Sequence, residues 1–272
     1  MASPILVTGG TGTLGRLVVA RLCEAGHAVR VLSRSPHDPH DQAGASVEFV
    51  TGDLTTGEGI DAAVAGTEVI VHCAGTTKGD GDKARHLVEA ASRHTGRPHV
   101  VFISVVGADR IPQTGRIDRA LFGYFGSKLD AERVVAGAGL PYTTLRAAQF
   151  HDLMFTTVQQ MARLPVIPVP SGFRFQPVET AEVADRLVDL ALGAPAGVAP
   201  DIAGPRIYEM ADLVRSYLRA TGKHRPILPV RFPGRAARAF RDGANLAPDH
   251  ATGRRTWEAF LAGAAGAAHV HA

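Results

Sequence analysis

Tyr124 and Lys128 lie four residues apart in the stretch GYFGSKLDAERV, at the predicted start of a helix. Residues with this spacing share one helical face and lie about 6 Å apart along the axis. A tyrosine can donate a proton to a reacting oxygen, and a nearby ammonium favours the phenolate and lowers the phenol pKa. The spacing is therefore one that a proton-handling pair would have. The alternative is an unrelated phenol and amine on one exposed helix face.

Lysine is scarce in this chain, which makes Lys128 informative. Of the 29 basic residues only four are lysines, at positions 78, 83, 128 and 223. Arginine would serve equally well on an exposed helix, but it does not replace a compact ammonium. The lysine at position 128 therefore suggests a specific function.

Short apolar runs alternate with helical patterns through the first half of the chain. The apolar runs are PILVT (4–8), HAVRVLS (27–33), VEFVTG (47–52), EVIVHCAG (68–75), HVVFISVVG (99–107) and PYTTLRA (141–147). This alternation predicts βαβ units and a parallel sheet covered on both faces. We expect an α/β fold with a doubly wound parallel Rossmann sheet.

The segment TGGTGTLG (8–15) follows the first predicted strand and opens the first predicted helix. Its glycines fit G-x-x-G-x-x-G if Gly9 is the first, and G-x-G-x-x-G if Gly10 is the first. Such a turn brings backbone N–H groups against a diphosphate at a helix N-terminus. The predicted cofactor contacts here are Gly9, Thr11, Gly12, Thr13, Leu14 and Gly15. A tight turn without a ligand is the alternative.

The end of the second predicted strand indicates which nucleotide binds. An acid about 20 residues after the turn would mark NAD, but this position has only Ser33 and Arg34. The planar fork of Arg34 can pair with a 2′-phosphate, so we predict NADP(H) as cofactor. A solvated loop arginine is the alternative.

The next two strand ends should also contact the cofactor. Asp53 and Leu54 after the third strand are expected to flank the adenine. Cys73, Ala74 and Gly75 after the fourth are expected to line the far side of the cofactor.

At this point the sequence resembles the atypical short-chain dehydrogenases/reductases, specifically their NmrA-like branch. The resemblance rests on ILVTGGTGTLGRLVVARL, VRVLSRS, GDL, VFISVVGAD, SKLDAERVV, GLPYTTLRAAQFHDL and FQPVETAEVADRL, which span most of residues 4–193. It implies a nucleotide-binding sheet with a small C-terminal substrate lobe and an NADP-linked activity. Some members of the family reduce ketones, enones, quinones or imines, others isomerise or dehydrate, and a few only sense the nucleotide.

The resemblance also implies roles for three residues. Reductases of the wider family use Tyr-x-x-x-Lys with an upstream serine, and the matching positions are Tyr124, Lys128 and Ser104. Tyr124 would donate the proton, Lys128 would tune the phenol and hold the cofactor ribose, and Ser104 would donate a hydrogen bond to the same substrate oxygen.

The substrate contacts are expected after the sixth strand and in the proline-dense segment beyond it. The candidates are Gln149, Phe150, His151 and Phe173. His151 titrates near neutral pH and could act as an acid or base, or it could be a buried structural histidine. The aromatic residues suggest a flat or apolar substrate, with core packing as the alternative.

Three segments are expected along the chain. Residues 1–150 form the NAD(P)-binding domain, 151–262 a substrate-binding cap packed intimately on it, and 263–272 a flexible tail. The segment LPVIPVP is too rich in proline for a central strand.

Composition narrows the classes of protein further. Two cysteines without a CxxC pattern suggest a reducing compartment, and we expect a cytoplasmic protein. The N-terminus lacks the pattern of a signal peptide, and no apolar run reaches membrane-spanning length, so we expect no membrane partner. The arginines form no nucleic-acid-reading motif, and no metal site is evident. We expect a monomer or homodimer.

These observations favour an NADPH-dependent oxidoreductase that reduces a carbonyl or conjugated small molecule, such as an enone or quinone. A non-catalytic NADP(H) sensor is one alternative. An isomerase or dehydratase that retains its cofactor is the other.

Overall fold

The computed structural model of the protein describes residues 3–36, 47–76 and 78–270, with side chains as far as residue 264. The chain forms two compact units, each with its own apolar core. The first unit comprises residues up to 104, 123–146 and 181–200, and the second comprises 105–122, 147–180 and 201 onward. The functional division predicted at residue 150 stays a prediction.

A seven-stranded sheet forms the centre of the first unit. Numbered in chain order, its strands are β1 (Ile5–Thr8), β2 (Val29–Ser33), β3 (Val47–Thr51), β4 (Val69–His72), β5 (His99–Val105), β6 (Tyr142–Ala147) and β9 (Gly197–Val198). Their order across the sheet is β3-β2-β1-β4-β5-β6-β9. The neighbouring strands run parallel, which confirms the predicted doubly wound sheet.

The central strands are apolar because helices cover both faces of the sheet. All four residues of β1 and all seven of β5 are buried, as expected for inner parallel strands. Ile5 pairs with Val29 on one side and with Val69 on the other, so β1 lies between β2 and β4. The chain order reverses here, and ligands of such sheets bind at this point.

Five helices accompany the sheet. They are α1 (Gly15–Glu24), α2 (Ile60–Val64), α3 (Asp80–Arg93), α4 (Arg116–Gly137) and α6 (Thr180–Leu192). The core of the unit includes Leu6, Ile70, Val100 and Phe102 from the strands and Ala84, Leu87, Ala131 and Val135 from α3 and α4. These positions recur at helical spacing, which explains why both helices form against the sheet.

Helix α4 begins at Arg116, so the predicted start near Tyr124 is wrong by about two turns. Tyr124 is the ninth residue of this 22-residue helix. The carboxylate of Asp118 accepts hydrogen bonds from the Thr114 hydroxyl and the Gly115 N–H, both at 3.3 Å. The first turns leave Ile117 and Leu121 exposed and bury Asp118, so the apolar residues of this stretch do not mark its buried face.

The second unit consists of short elements. It contains α5 (His151–Met161), β7 (Ile167–Pro170), β8 (Arg174–Phe175), β10 (Tyr208–Glu209), α7 (Met210–Ala220), β11 (Ile227–Val230), α8 (Arg235–Arg241) and α9 (Trp257–Val270). Fully buried Trp257 packs in a core with Met154, Val158, Leu213 and Tyr217.

The proline-dense segment forms β7, which among the described strands pairs with β11 alone, as suits a strand containing Pro168 and Pro170. Helix α9 continues to Val270, and residues 271 and 272 lie outside the described residues. The predicted flexibility of 263–272 therefore stays a prediction. Within the described part of the chain, every helix is too short or too polar to span a bilayer.

Candidate functional site

A cleft of about 350 Å³ runs along the C-terminal ends of β1 to β4. It is lined by Gly9, Thr11, Gly12, Leu32, Ser33, Arg34, Gly52, Asp53, Leu54, Thr55, Cys73, Ala74, Gly75, Thr76 and Lys83. Parallel sheets bind ligands at this edge. Most of the residues that the sequence predicts as cofactor contacts therefore come together in one cleft.

The backbone of the glycine turn approaches its neighbours too closely for side chains. Gly9 has a φ of +70°, and an added Cβ there would lie 2.7 Å from the Ala74 nitrogen. An added Cβ on Gly15 would overlap the Gly9 carbonyl oxygen, to which the Gly12 N–H donates at 3.0 Å. The turn thus fits a diphosphate that binds to exposed backbone. Thr13, Leu14 and Gly15 are not among the residues that line the cleft.

The ends of β2 and β3 provide charge at one side of the cleft. Arg34 is exposed and lines the cleft beside Ser33. The Thr55 N–H donates to Asp53 Oδ1 at 2.7 Å, and this hydrogen bond, with the charges of Arg34 and Lys83, lowers the pKa of Asp53. Asp53 therefore remains ionised near Arg34.

Cys73 follows β4 and lines the cleft. Burial raises the pKa of its thiol to about 12. A neutral thiol is a poor nucleophile, so the chemistry of the cleft must come from other groups.

Lys128 is buried, with 4% of its surface exposed, at the ends of β4 and β5. Its Nζ lies 3.1 Å from Asp80 Oδ2 and donates to the Ile103 carbonyl oxygen at 3.3 Å. An added Cβ on Gly75 would lie 2.7 Å from the same Nζ. The ammonium is therefore held against a residue that lines the cleft.

Tyr124 is 37% exposed, and Lys128 Nζ lies 5.9 Å from its ring centroid. Burial, and then the Asp80 carboxylate, raise the pKa of the Tyr124 phenol to about 12. This differs from the lowered pKa expected from the Tyr-x-x-x-Lys spacing. The main reason is burial of the phenol, to which the Asp80 carboxylate adds, so the phenol stays protonated.

Ser104 is the penultimate residue of β5 and directly follows Ile103. It is 3% exposed, and its Oγ has no hydrogen-bond partner among the described residues. A buried hydroxyl of this kind retains its capacity to donate to a ligand oxygen.

Two of the predicted substrate residues pack in the core of the second unit. His151 is fully buried and stacks on Phe260 at 5.1 Å, with its Nδ1 3.4 Å from Glu179 Oε2. Burial, and then the charge of Arg255, lower the pKa of His151 to about 4, so it is neutral at pH 7. Phe173 is 6% exposed and stacks on Phe240 at 4.8 Å. These contacts favour structural roles for both.

The other two predicted substrate residues, Gln149 and Phe150, have different surroundings. Phe150 precedes α5 and forms a backbone bridge with Val178. The Gln149 side-chain oxygen is buried without a hydrogen-bond partner among the described residues. Gln149 therefore keeps a polar atom for a ligand, and its substrate role stays a prediction.

Sequence reasoning did not assign Asp80, Thr76 or Lys83 to the site. Asp80 opens α3 with its carboxylate fully buried, and Thr76 and Lys83 line the cleft. Lys83 is one of the four lysines, and the scarcity that singled out Lys128 could have identified it.

A wider depression of about 770 Å³ lies in the second unit, between α7 and β11. None of the predicted site residues lines it. Among the described residues, no group of three or more His, Cys, Asp or Glu side chains could hold a metal ion.

The family of the protein follows from comparison with known sequences. A family model described as NAD(P)H-binding matches residues 9–192, which is more than half of the chain. The chain belongs to the NAD(P)H-binding family. The match covers the glycine turn, the cleft and Lys128, and it confirms the resemblance to NmrA-like short-chain dehydrogenases/reductases.

Individual relatives of this NAD(P)H-binding protein match only in part. An uncharacterized protein of Mycobacterium tuberculosis is 30% identical over 189 residues, 69% of this chain and 20% of the relative. An isoflavone reductase homolog of Zea mays is 35% identical over 167 residues, 58% of this chain and 52% of the relative. The chain thus matches from a fifth to about half of the length of these relatives.

A solved structure supports the fold over nearly the whole length. An NADPH-dependent quinone oxidoreductase of Escherichia coli, complexed with NADPH, superimposes with a TM-score of 0.78. The alignment covers 96% of this chain and 99% of that chain at 15% sequence identity. At this identity the likeness shows the fold alone.

Proposed function

We propose that this protein is an NADPH-dependent oxidoreductase that reduces a carbonyl or conjugated small molecule, such as an enone or quinone, with Tyr124 as proton donor. One observation carries the proposal. The ammonium of Lys128 lies against Gly75 at the end of the cleft, one helical turn from the phenol of Tyr124. In a reductase, the proton donor and the residue that binds the ribose would likewise lie one helical turn apart beside the cofactor.

The choice of NADPH over NADH rests on Arg34. It lines the cleft at the end of β2, where an NAD-specific site would have an acid. A guanidinium can form two hydrogen bonds to a 2′-phosphate. Asp53 is ionised nearby, and we propose that it contacts the adenosine rather than the phosphate.

The residues of the chain would act in a defined way on a bound substrate. The reduced nicotinamide supplies a hydride to the substrate carbon. The substrate oxygen gains charge as its double bond breaks and takes the phenol proton of Tyr124. Ser104 donates a hydrogen bond to the same oxygen, and Lys128 binds the ribose hydroxyls. The Tyr124 phenolate then regains a proton from water.

A phenol with a raised pKa suits reduction better than oxidation. Reduction needs the protonated phenol, which is present up to a pH of about 12. Oxidation of an alcohol needs the phenolate as base, which is scarce at pH 7. The names of two similar proteins, an isoflavone reductase homolog and a quinone oxidoreductase, suggest the same direction and substrate class.

The test is to incubate the protein with NADPH and a panel of ketones, enones and quinones while following the absorbance of the reduced nicotinamide. We expect turnover with at least one class, and a loss of about 10²- to 10⁴-fold in Tyr124→Phe with NADPH binding retained. Tyr142→Phe removes a phenol that packs against the core of the first unit and is the matched control.

Two outcomes would overturn the proposal. Tight NADPH binding without turnover on any member of the panel would favour a nucleotide sensor. Product formation without net NADPH oxidation would favour an isomerase or dehydratase that retains its cofactor.

A further inference from the structure

Two of the four lysines in this chain converge on one buried carboxylate. Lys128 Nζ lies 3.1 Å from Asp80 Oδ2, and Lys83 Nζ lies 3.7 Å from Asp80 Oδ1. The side chain of Asp80 is fully buried. Buried carboxylates are rare unless they are paired. Because the chain otherwise uses arginine, two lysine partners at one carboxylate indicate that the ammonium groups have a specific role there.

Hydrogen bonds fix the carboxylate between β4 and α4. The Thr76 N–H donates to Asp80 Oδ1 at 2.8 Å. The Asp80 N–H donates to the Ser127 hydroxyl at 3.1 Å, and Ser127 directly precedes Lys128. Asp80 is thus tied through its backbone to the helix that carries Lys128, and through its side chain to the end of β4.

Both lysines reach the cofactor cleft from this carboxylate. Lys83 lines the cleft and donates to the Thr76 hydroxyl at 2.6 Å. Lys128 lies against Gly75. An ammonium has three N–H donors. Lys128 donates one of them to the Ile103 carbonyl oxygen and is paired with Asp80 by charge, so it retains donors for a ligand in the cleft.

We propose that Asp80 is the positioning residue of the cofactor cleft, which holds the Lys128 ammonium toward the ribose and the Lys83 ammonium toward a phosphate of NAD(P)H. The assignment of Lys128 to the ribose rests on the proposed function. The assignment of Lys83 requires only that the protein binds NAD(P)H, as its family description states.

Three further titratable groups face this network from the elements packed around it. His72 faces the network from β4, and its pKa is lowered to about 3, by burial first and then by the charge of Lys128. The Cys73 thiol and the Tyr124 phenol both have a pKa raised to about 12, mainly by burial. All three are neutral at pH 7.

The test compares Asp80→Asn with Asp82→Asn in the chain without substrate. Asp82 lies in the same first turn of α3, but its side chain is 68% exposed and it pairs with Arg85. We expect the dissociation constant for NADPH, followed by fluorescence of the reduced nicotinamide, to rise roughly 10- to 100-fold in Asp80→Asn. It should change less than about 2-fold in Asp82→Asn.

A second readout separates positioning from general loss of structure. Removal of the Asp80 charge should increase the fraction of tyrosinate at pH 10, seen in the near-ultraviolet difference spectrum against the wild type, because Asp80 raises the pKa of Tyr124. The increase should vanish when Asp80→Asn is combined with Tyr124→Phe. An increase that persists in the double variant would come from unfolding that exposes the other tyrosines, and the comparison of the Lys128→Met variants then decides the proposal.

If Asp80→Asn does not fold, Lys128→Met is compared with the double variant Asp80→Asn/Lys128→Met. The double variant lacks the buried ammonium that Asp80→Asn alone would leave without its carboxylate. We expect the double variant to bind NADPH more weakly than Lys128→Met, because Lys83 has lost its carboxylate. Equal affinities would overturn the role of Asp80, as would wild-type NADPH affinity in Asp80→Asn. These measurements need no turnover, so they hold or fail independently of the reductase panel.

Discussion

The two ends of the cofactor cleft are built in different ways. The glycine turn after β1 presents backbone N–H groups from one continuous stretch, TGGTGTLG. The opposite end, named the lysine end, contains Asp80, Lys83 and Lys128 and joins β4, β5, α3 and α4. The hydrogen bond from the Asp80 N–H to the Ser127 hydroxyl connects residues 47 positions apart. The turn can be recognised in the sequence because its geometry is local. The lysine end cannot, because the partner of Lys128 is set by how the helices pack on the sheet.

The two ends also differ in electrostatics. The turn offers neutral donors whose strength comes from their common direction at a helix N-terminus. The lysine end combines one carboxylate with two ammonium groups in a buried setting, where an unpaired charge is costly. Substitutions in the turn should therefore act through steric overlap and backbone conformation. Substitutions at the lysine end should act through the loss of a charge.

The largest expected effect is at the lysine end. Lys128→Met leaves the buried Asp80 carboxylate with Lys83 alone, at 3.7 Å. Removing one partner of a buried ion pair destabilises a protein by about 3–5 kcal/mol, and Lys83 should keep the loss near the lower end of this range. Urea unfolding monitors the free energy of unfolding. Asp80→Asn/Lys128→Met should recover most of the loss, and a Lys128→Met variant as stable as the wild type would refute the buried pair.

The turn should be the next most sensitive part. Gly9→Ala places a side chain at a φ of +70° and 2.7 Å from the Ala74 nitrogen, which should cost about 2–4 kcal/mol and abolish NADPH binding. Gly26→Ala is the matched control, because Gly26 has a φ of +83° but nothing within 4 Å. It should cost only about 1–2 kcal/mol and leave binding intact. Equal losses in both would show that conformation alone, and not the approach to Ala74, sets the cost.

Arg34 tests the proposed contact with the 2′-phosphate of NADPH. Arg34→Ala should weaken NADPH binding roughly 10- to 100-fold and leave NADH binding unchanged, because only NADPH carries the 2′-phosphate. Titration of both nucleotides measures the difference. Arg93→Ala removes an exposed arginine paired with Asp61 and should change neither affinity. A parallel loss for both nucleotides in Arg34→Ala would contradict the assignment.

His72 connects the two ends, since its Nδ1 lies 2.6 Å from Thr8 Oγ1 directly before the turn. Burial lowers its pKa in the folded chain from 6.5 to about 3. Below pH 6.5 the unfolded chain binds a proton that the folded chain does not, so stability should fall by roughly 1.4 kcal/mol per pH unit until the folded pKa is reached.

The measurement for His72 is urea unfolding at several pH values between 7.5 and 5. His72→Gln should flatten the pH dependence relative to the wild type, whereas His224→Gln, which changes an exposed histidine, should leave it unaltered. Identical slopes in the wild type and His72→Gln would show that His72 is not held neutral.

Sequence patterns predicted the sheet well and the second unit less well. The inner strands β1, β4 and β5 are largely apolar runs, and such runs are diagnostic where both faces of a sheet are covered. The start of α4 was not predicted because its first turns bury Asp118 and expose the apolar Ile117 and Leu121. The two-stranded pairs β7–β11 and β8–β10 have four and two residues per strand. Strands this short do not show a recognisable alternation of apolar and polar residues.

The predictions of individual residues divide in a similar way. Tyr124 and Lys128 were singled out by spacing and by the scarcity of lysine. Asp80 was not, because an acid in the first turn of a helix is common for reasons of helix electrostatics alone. His151 and Phe173 carry chemistry by type, but their stacking on other aromatic rings was fixed by the packing of the second unit.

The sequence by itself determined the parallel sheet, the glycine turn after β1 and the separation of Tyr124 from Lys128 along one helix. These depend on residues close together in the chain, where backbone geometry and hydrophobic period act directly. Only the tertiary structure decided that Asp80 meets Lys128 and Lys83, and that the phenol of Tyr124 stays protonated. Charge compensation and burial depend on neighbours from separate elements, and their effect exists only after those elements have packed.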